Sequence, residues 1–509
     1  MNSKKLKESQ EIRDQILTLT KAYSKLVHNG INAPSISTVP TDRLIDEDID
    51  FIPGITPINY AARVFDEEEV MAAVSSSLDF WLTLGEEGSA MERELANFLG
   101  IRKTLLVNSG SSANLVALSS LTSPKVPGQR LMKGDEVITC AAGFPTTVSP
   151  IIQNGLVPVF VDNNPLTGNL EVSQLEEAFN PKKTKAVMVA HTLGNPFDIG
   201  AVLSFCKKYD LWLIEDNCDA LGSVYKMPTT LASSLGQSKS SSGIKNEKDL
   251  VQRWTGTWGD LSTQSFYPPH HLTMGEGGAV NISGSLKLHR IAESFRDWGR
   301  DCWCPSGKDN TCGLRFEQTL GTLPCGFDHK YTYSHIGYNL KPLDIQAAIG
   351  RVQLQRLSSF IEKRKENWTY LRKGLSDLEK YMDFMLPTHA KAWNGNDFDW
   401  DESGCITDAS WFGFMINVKD DAPFNRTQLA QYLTENKIGN RMLFGGNLLR
   451  QPAMVQLKAD YPDSMRSIGD HSGADKLMNN AVFIGTYPGL NNLMLDYMIG
   501  KIFSFTRKF

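Results

Sequence analysis

The sequence predicts an α/β protein with a mostly parallel sheet that carries helices on both faces. Short apolar runs of strand length alternate with helical or polar spacers: "KTLLV", "DEVITCA", "VPVFVD", "AVMVAH" and "LWLIED". Such alternation is typical of parallel strands joined through helices. A second observation is the long segment with helical periodicity that begins at "PLDIQAAIGRVQL". We expect this helix to lead into a smaller C-terminal α+β domain.

Four more helices are predicted before and after the first strand. "ESQEIRDQILTLTKAYSKLVH" has the spacing of an amphipathic helix, and a linker rich in Pro, Ser and Thr follows to about residue 42. "DEEEVMAAVSSSLDFW" opens with acidic residues, "SAMERELANFLG" ends at Gly100, and "SSANLVALSSL" follows the first strand.

These elements divide the chain into three predicted parts. Residues 1–45 form an N-terminal helix and linker, residues 46–360 form the large α/β domain, and residues 361–509 form the small domain. Residues 227–252 are rich in Ser and Lys and lack periodicity, so we expect a surface loop inserted into the large domain.

Composition narrows the class of protein. The 509 residues carry a formal net charge of -5, which argues against a nucleic-acid partner. No apolar run approaches the ~20 residues that span a bilayer, and the polar N-terminus lacks a secretory signal, so we expect a cytoplasmic protein with no membrane partner. The eight cysteines are too few for a disulfide scaffold and indicate metal binding or chemistry instead.

Three stretches together indicate a pyridoxal-type cofactor. Asp216 ends the apolar run "LWLIED", where a carboxylate can face a cationic ring nitrogen. Ser111 and Ser112 lie at a predicted helix start, which favours a phosphate, and Phe144 in "AAGFPTTVSP" offers a flat face to a ring. Taken singly, a loop carboxylate, a helix cap and a core Phe are the simpler interpretations. Together they supply what this cofactor requires.

Four motifs carry a resemblance to a known family: "NSGSSAN", "EDNCDALG", "SFYPPHHLTMGEGGAV" and "GYNLKPLDIQAAIGRVQLQRL". They lie in family order over about residues 60–360 and resemble the DegT/StrS-type sugar aminotransferases, pyridoxal phosphate enzymes with the aspartate-aminotransferase fold. The resemblance implies a homodimer with shared active sites. It implies these cofactor contacts: Ser111, Ser112 and Ser265 to the phosphate, Phe144 to the ring face, Asp216 to the ring nitrogen, Asn195 and Asp219 nearby, and Asn339 to the phosphate of the partner subunit.

The lysine of the aminotransferases is missing. In those relatives it follows "SF-x-P-x" and forms a Schiff base with the cofactor, whereas alignment through "GEGG" places His270 there and His271 next to it. An imidazole cannot form that link, so we expect pyridoxamine 5'-phosphate to be held non-covalently. Histidine, with an ordinary pKa near ~6.5, suits a general base at neutral pH. We predict that His270 is the catalytic base, with His271 as the alternative.

The lysine-lacking subgroup consists of sugar 3-dehydratases, and the chain resembles the CDP-4-keto-6-deoxyglucose 3-dehydrase family. "YAARVFDEEEV", "SFRDWGRDC" and "DHKYTYSHIGYN" add to that resemblance. It implies C3 dehydration of a nucleotide-linked 4-keto-6-deoxyhexose for 3,6-dideoxyhexose and O-antigen synthesis. The alternatives are a dTDP-sugar 3-dehydratase, a nucleotide-sugar aminotransferase, an inactive aminotransferase and a non-enzymatic zinc sensor. We expect sugar contacts from "FGGN" (444–447) and "DFWLTLG".

Cys302, Cys304 and Cys312 form a C-x-C-x7-C pattern, a predicted cluster loop over residues 302–312. Three closely spaced thiols can hold zinc or an iron–sulfur cluster, and the cluster requires a fourth thiolate ligand. Cys218 and Cys325 are the candidates for that fourth ligand. The resemblance favours Cys218, because one dehydratase subgroup has a [2Fe-2S] cluster on a distant Cys followed by C-x-C-x7-C. It also implies a separate flavin or iron–sulfur reductase that delivers electrons.

Overall fold

A computed structural model of the chain describes residues 3–28, 51–244, 247–304 and 307–509. The helices are α1 Ser3–His28, α2 Glu67–Asp79, α3 Glu86–Leu99, α4 Gly110–Leu121, α5 Pro145–Gln153, α6 Leu175–Ala178, α7 Ile199–Tyr209, α8 Thr229–Ser234, α9 Leu286–Arg296, α10 Asp344–Gly374, α11 Arg426–Glu435, α12 Pro452–Asp460, α13 Ser472–Asn480 and α14 Asn492–Thr506. The strands are β1 Lys103–Val107, β2 Glu136–Cys140, β3 Val157–Val161, β4 Thr184–Ala190, β5 Trp212–Asp216, β6 Val224–Pro228, β7 Leu250–Trp254, β8 Leu261–Ser265, β9 Gly278–Ile282, β10 Met382–Phe384, β11 Ala390–Trp393, β12 Phe398–Trp400, β13 Ile406–Asp408, β14 Gly413–Val418, β15 Asn440–Met442, β16 Arg466–Ser467 and β17 Ala481–Gly485.

The main sheet has the order β1-β9-β8-β5-β4-β2-β3-β16. Its neighbours are parallel except for β9, which runs antiparallel to both β1 and β8. One face packs against α4 and α9 and the other against α6 and α7, each through its own apolar cluster. β2 to β5 are almost completely buried, which explains why they appear in the sequence as continuous apolar runs. The predicted fold class is confirmed.

The predicted helices and strands form where the sequence signals place them. Asp66 caps α2 in a capping box with Glu69, and Gly100 ends α3 with a φ of 69° that suits glycine. α1 is the predicted N-terminal helix and packs along α2. The predicted linker after α1 lies outside the described residues.

The prediction of a loop over residues 227–252 is wrong for much of that range. β6 and β7 pair antiparallel, with α8 directly after β6, and β13 extends the pair to three strands. Met227 and Val251 face each other in this pair and are both buried. The Ser- and Lys-rich composition belongs to the segment between α8 and β7, and it hides the sequence signal of the strands on either side.

The small domain is built on the sheet β10-β14-β17-β15, which α11, α13 and α14 cover. α10 runs unbroken through the predicted domain boundary at residue 360, so that boundary does not separate two elements. Ile58 and Val64, from the predicted large domain, join the apolar core of the small one. Among the described helices, none is both long and apolar enough to cross a bilayer.

Candidate active site

The site lies at the carboxyl edge of the main sheet, where open α/β sheets bind ligands. The register places Asp216, the last residue of β5, beside Thr263 of β8. Ser265 ends β8 two residues further on. The parallel pairing of β5 and β8 therefore brings an acid and a hydroxyl to one edge, although 48 residues separate them in the chain.

Asp216 is buried and held in one orientation by its neighbours. Its Oδ2 accepts hydrogen bonds from Asn114 Nδ2 at 2.8 Å and from Thr147 Oγ1 at 2.6 Å, and its Oδ1 accepts from the Cys218 backbone N–H at 3.2 Å. The sequence did not predict Asn114 and Thr147 as partners of Asp216. Their motifs, "SSAN" and "FPTT", predicted only a phosphate-binding helix start and a ring-stacking Phe. A fixed carboxylate at this depth suits the ring nitrogen of a pyridoxal-type cofactor.

The start of α4 forms a cradle that fits a phosphate. Ser109 caps the helix by accepting from the Ser112 N–H at 3.1 Å, while Ser111 is exposed. A Cβ added at Gly110 would lie 2.5 Å from Ser265 Cβ and 3.1 Å from Cys218 Sγ. Only a glycine lets the helix start come this close to Ser265. The free N–H groups and the hydroxyls at this point are the donors that a phosphate needs.

The cradle predicts a strong effect of Gly110→Ala. The new methyl group would push α4 away from Ser265, and we expect the affinity for pyridoxamine phosphate to fall by about tenfold or more, since misplaced phosphate donors lose charge-assisted hydrogen bonds. Titration of the apo protein, followed by absorbance, measures this. Gly500→Ala in α14 is the matched control, because a Cβ there meets nothing within 4 Å. Unchanged affinity of the Gly110 variant would contradict the assigned cradle.

Phe144 precedes α5 and is 52% exposed at the same edge. Its ring lies edge-on to that of Phe444, 6.1 Å between centroids. The "FGGN" segment therefore reaches this edge, and Gly445 N–H donates to the Gly143 carbonyl. Asn447, however, is buried and donates to Asp475 at 2.7 Å, so its amide group serves the small domain. Phe144 has the free ring face that stacking on a cofactor requires.

The structure engages Asn195, a predicted cofactor contact, in other hydrogen bonds, and its predicted role stays a prediction. Its side chain is fully buried, Nδ2 donates to the carbonyls of Thr167 and Leu386, and Oδ1 accepts from the Thr388 N–H at 3.0 Å. These bonds join the large domain to the segment that follows β10. Asn195 is thus a structural residue whose hydrogen-bonding groups are already engaged.

His270 faces Asp219. The distance from His270 Nδ1 to Asp219 Oδ1 is 3.4 Å, and both side chains are 15% exposed. This is long for a hydrogen bond, as catalytic pairs often are before substrate binds. Burial raises the pKa of Asp219, and His270 opposes that rise. The ring of Phe412 lies 5.4 Å from the imidazole and limits its contact with water.

His271 points the other way. It is buried, and its Nε2 lies 2.8 Å from the Ser410 carbonyl, to which it donates. Burial lowers the pKa of His271 well below its ordinary value, with Arg364 adding to the effect. A neutral imidazole bonded to the main chain is a structural group. The geometry favours His270 as the base.

Asn339 is exposed and accepts from Lys341 Nζ at 3.2 Å. Within the described part of this chain, Asn339 makes no hydrogen bond with Ser111, Ser112 or Ser265. That position leaves it available to a partner subunit, and its predicted role across a dimer stays a prediction.

The thiols predicted to bind a cluster come together in part. Cys302, Cys304 and His329 offer ligand atoms that all lie within 4.8 Å of one another, and Cys312 Sγ lies 3.6 Å from His329 Nε2. Burial raises the pKa of Cys304, but hydrogen bonds from Thr311 and Cys302 outweigh burial and lower that pKa to about 6. The lower pKa favours the thiolate that a metal needs.

Cys218 is not part of that group within the described chain. Its sulfur lies beside the start of α4, near Gly110 and Ser265. His329 was missed as a candidate ligand, although "DHKYTYSH" contains it. It is buried, and its Nδ1 lies 3.1 Å from the Leu314 carbonyl, which directs Nε2 at the thiols. The donor set fits a metal centre held by Cys302, Cys304 and His329, with Cys312 next to His329.

The fold and the edge site define an α/β enzyme of the pyridoxal phosphate class with the aspartate-aminotransferase architecture. A sequence profile of the DegT/DnrJ/EryC1/StrS aminotransferase family matches residues 65–503, and the chain belongs to that family. It is 47% identical over 455 residues to "Lipopolysaccharide biosynthesis protein RfbH" of Salmonella typhimurium, covering 89% of this chain and 93% of that protein.

Two further comparisons bear on the activity. The chain is 45% identical over 458 residues to the dTDP-4-dehydro-2,6-dideoxy-D-glucose 3-dehydratase of Saccharopolyspora spinosa, covering 90% of this chain and 88% of that protein. Among solved structures, it resembles the E. coli GDP-4-keto-6-deoxy-D-mannose-3-dehydratase with bound hydrated PLP, with a TM-score of 0.70 and 26% identity over 87% of this chain and 98% of that one. The predicted family and the prediction of an enzyme are confirmed.

Proposed function

We propose that the protein is a nucleotide-sugar 3-dehydratase that holds pyridoxamine 5'-phosphate non-covalently and acts on CDP-4-keto-6-deoxyglucose. The observation that carries this proposal is His270, an imidazole paired with Asp219 where the aminotransferases have their lysine. Relatives named as 3-dehydratases, at 45% and 28% identity, support it. The name of the Salmonella relative supports a role in surface polysaccharide synthesis.

The residues of the chain divide the work of binding. With the cofactor bound, Asp216 would face the ring nitrogen and Phe144 would cover one ring face. The phosphate would be held by the α4 N–H groups together with Ser111, Ser112 and Ser265. When bound, the cofactor supplies an amine that condenses with the substrate ketone and a ring that accepts electrons. Because no side chain would be joined to the cofactor, its amine would be free to react with the sugar ketone.

His270 moves the proton. Asp219 Oδ1 lies 3.4 Å from Nδ1. If it accepts from an Nδ1–H when substrate is bound, the lone pair of Nε2 would be free to take a proton at the reacting carbon. The same Nε2–H can then protonate the hydroxyl that leaves C3, so that the net loss is one water. Phe412 and Tyr267, whose rings lie 5.4 Å and 6.4 Å from the imidazole, keep this exchange from bulk solvent.

We further propose a [2Fe-2S] centre on Cys302, Cys304 and Cys312 that receives electrons from a separate flavin or iron–sulfur reductase. Such a centre supplies one-electron transfer, which the reduction to a 3-deoxy sugar needs after dehydration. Cys218 remains the predicted fourth ligand, and His329 is the competing group in this chain. A homodimer with shared active sites, in the cytoplasm, completes the proposal.

The test is incubation of the purified protein with pyridoxamine phosphate, a reductase and the CDP-, dTDP- and GDP-linked 4-keto-6-deoxy sugars, followed by mass spectrometry. We expect loss of oxygen from the CDP-linked sugar. Turnover of the dTDP sugar alone would move the proposal to the activity named for the Saccharopolyspora relative. Gain of nitrogen in the product would contradict dehydration and indicate an aminotransferase.

A further inference from the structure

Arg441, in β15, is an exposed cation that has no carboxylate partner among the described residues. Its Nη1 donates to the carbonyl of the preceding residue, Asn440, and its guanidinium carbon lies 4.3 Å from the centroid of the Tyr60 ring. Stacking on an aromatic ring fixes the plane of a guanidinium while leaving its remaining N–H donors free. A planar, oriented set of free donors with a positive charge is suited to an anion.

The register of the small-domain sheet turns Arg441 toward the active site. Arg441 pairs with Phe483 of β17, and directly paired residues of neighbouring strands project from the same face of a sheet. On that face, the Phe483 ring lies 6.1 Å from the rings of both Phe412 and Phe444. The first of these rings flanks the proposed base, and the second lies against the ring proposed to stack on the cofactor.

The distance from Arg441 to the cofactor site is short enough for one substrate to reach both. Arg441 stands three residues before Phe444, and that length of chain spans at most about 11 Å. In a nucleotide-linked 4-keto-hexose, C4 and C1 lie opposite each other on the pyranose ring. When the C4 ketone faces the cofactor amine, the diphosphate on C1 therefore extends away from the cofactor, on the far side of the sugar.

We propose that Arg441 binds the diphosphate of the nucleotide-sugar substrate and so holds the sugar ring over the cofactor. The proposal rests on the proposed function and names the group of the substrate that this residue recognises. A guanidinium can donate two parallel hydrogen bonds to a phosphate, a geometry that a lysine ammonium does not reproduce. Because every nucleoside diphosphate sugar carries this group, Arg441 contributes affinity and does not select the base.

The first test needs no turnover. Calorimetry measures the binding of CDP, dTDP and GDP, and of the corresponding nucleosides, to the enzyme with pyridoxamine phosphate bound. Arg441→Met removes the charge and keeps an apolar stem over Tyr60. We expect it to raise the Kd of every nucleoside diphosphate that binds the wild type by about 10- to 100-fold, the loss typical of hydrogen bonds to a charged group, and to leave nucleoside binding unchanged. Arg441→Lys should recover part of the loss.

The matched control is Arg102→Met. Arg102 is exposed and directly precedes β1, at the amino edge of the main sheet and so opposite the site. We expect wild-type affinity from it. Equal affinity of the wild type and Arg441→Met for the nucleoside diphosphates, or a wild type that binds none of them, overturns the proposal.

The second test uses kinetics. We expect Arg441→Met to raise the KM of the 4-keto sugar by about 10- to 100-fold while kcat stays within a few-fold of the wild type, because the diphosphate is held equally before and during reaction. A lower kcat at unchanged KM would assign Arg441 a structural role and overturn the proposal. If no nucleotide-linked sugar is dehydrated but diphosphate binding still depends on Arg441, the proposed function fails and the anion site stands.

Discussion

His270→Asn is expected to abolish dehydration while leaving the cofactor bound. Asparagine has no lone pair that can take a proton at neutral pH, and loss of a general base costs about 10²- to 10⁴-fold in rate. The contacts proposed to hold the cofactor, at Asp216 and the start of α4, do not involve His270. Product formation from the 4-keto sugar measures the rate, and absorbance measures cofactor binding.

The matched control is His28→Asn, on the N-terminal helix α1 and outside the site. We expect wild-type activity from it. His271→Asn adds a contrast, since the buried imidazole bonds the Ser410 carbonyl and its loss should lower stability. Activity of His270→Asn within a few-fold of the wild type would remove the imidazole from the mechanism.

Cys304→Ser is expected to remove the metal centre altogether. Cys304 lies among the thiols, and hydrogen bonds favour its thiolate despite burial. Serine does not replace a thiolate on iron. Purified variant should lack the iron, acid-labile sulfide and visible absorbance of the wild type. Cys206→Ser, a cysteine in α7 outside the group, is the control and should retain all three.

Two more variants identify the fourth ligand of that centre. Loss of iron in Cys218→Ser with retention in His329→Ala would support the predicted ligand set. The reverse pattern would assign His329, whose Nε2 lies 3.6 Å from Cys312 Sγ. Zinc in place of iron in the wild type would contradict the proposed cluster.

β1 to β5 could be predicted because each is a local apolar run between spacers. Asp216 could be predicted for the same reason, since it stands at the end of such a run. β8 escaped prediction because its sequence "LSTQS" is polar although the strand is buried. Residues 227–252 were misassigned because the pairing of β6 with β7 leaves little trace in a Ser- and Lys-rich segment. Strand pairing depends on partners that composition does not reveal.

The features of the site that the sequence does not reveal share one cause, long-range contacts. Asn195 resembles a cofactor ligand by its motif, yet Leu386 and Thr388, nearly two hundred residues away, engage its amide. Arg364 lies in the amphipathic helix α10, where a cation is expected at the surface. Folding instead buries it, and its Nη2 donates to the His270 carbonyl. Such roles depend on which segments meet, and one sequence does not state that.

The most direct test of the central claim is intact-mass spectrometry after the wild-type enzyme is incubated with pyridoxal phosphate and reduced with borohydride, with peptide mapping of any adduct. We predict no cofactor adduct on any residue of the site in the wild type, and an adduct at position 270 in His270→Lys. An adduct at a site residue of the wild-type protein would contradict a non-covalently held cofactor and, with it, the proposed dehydration.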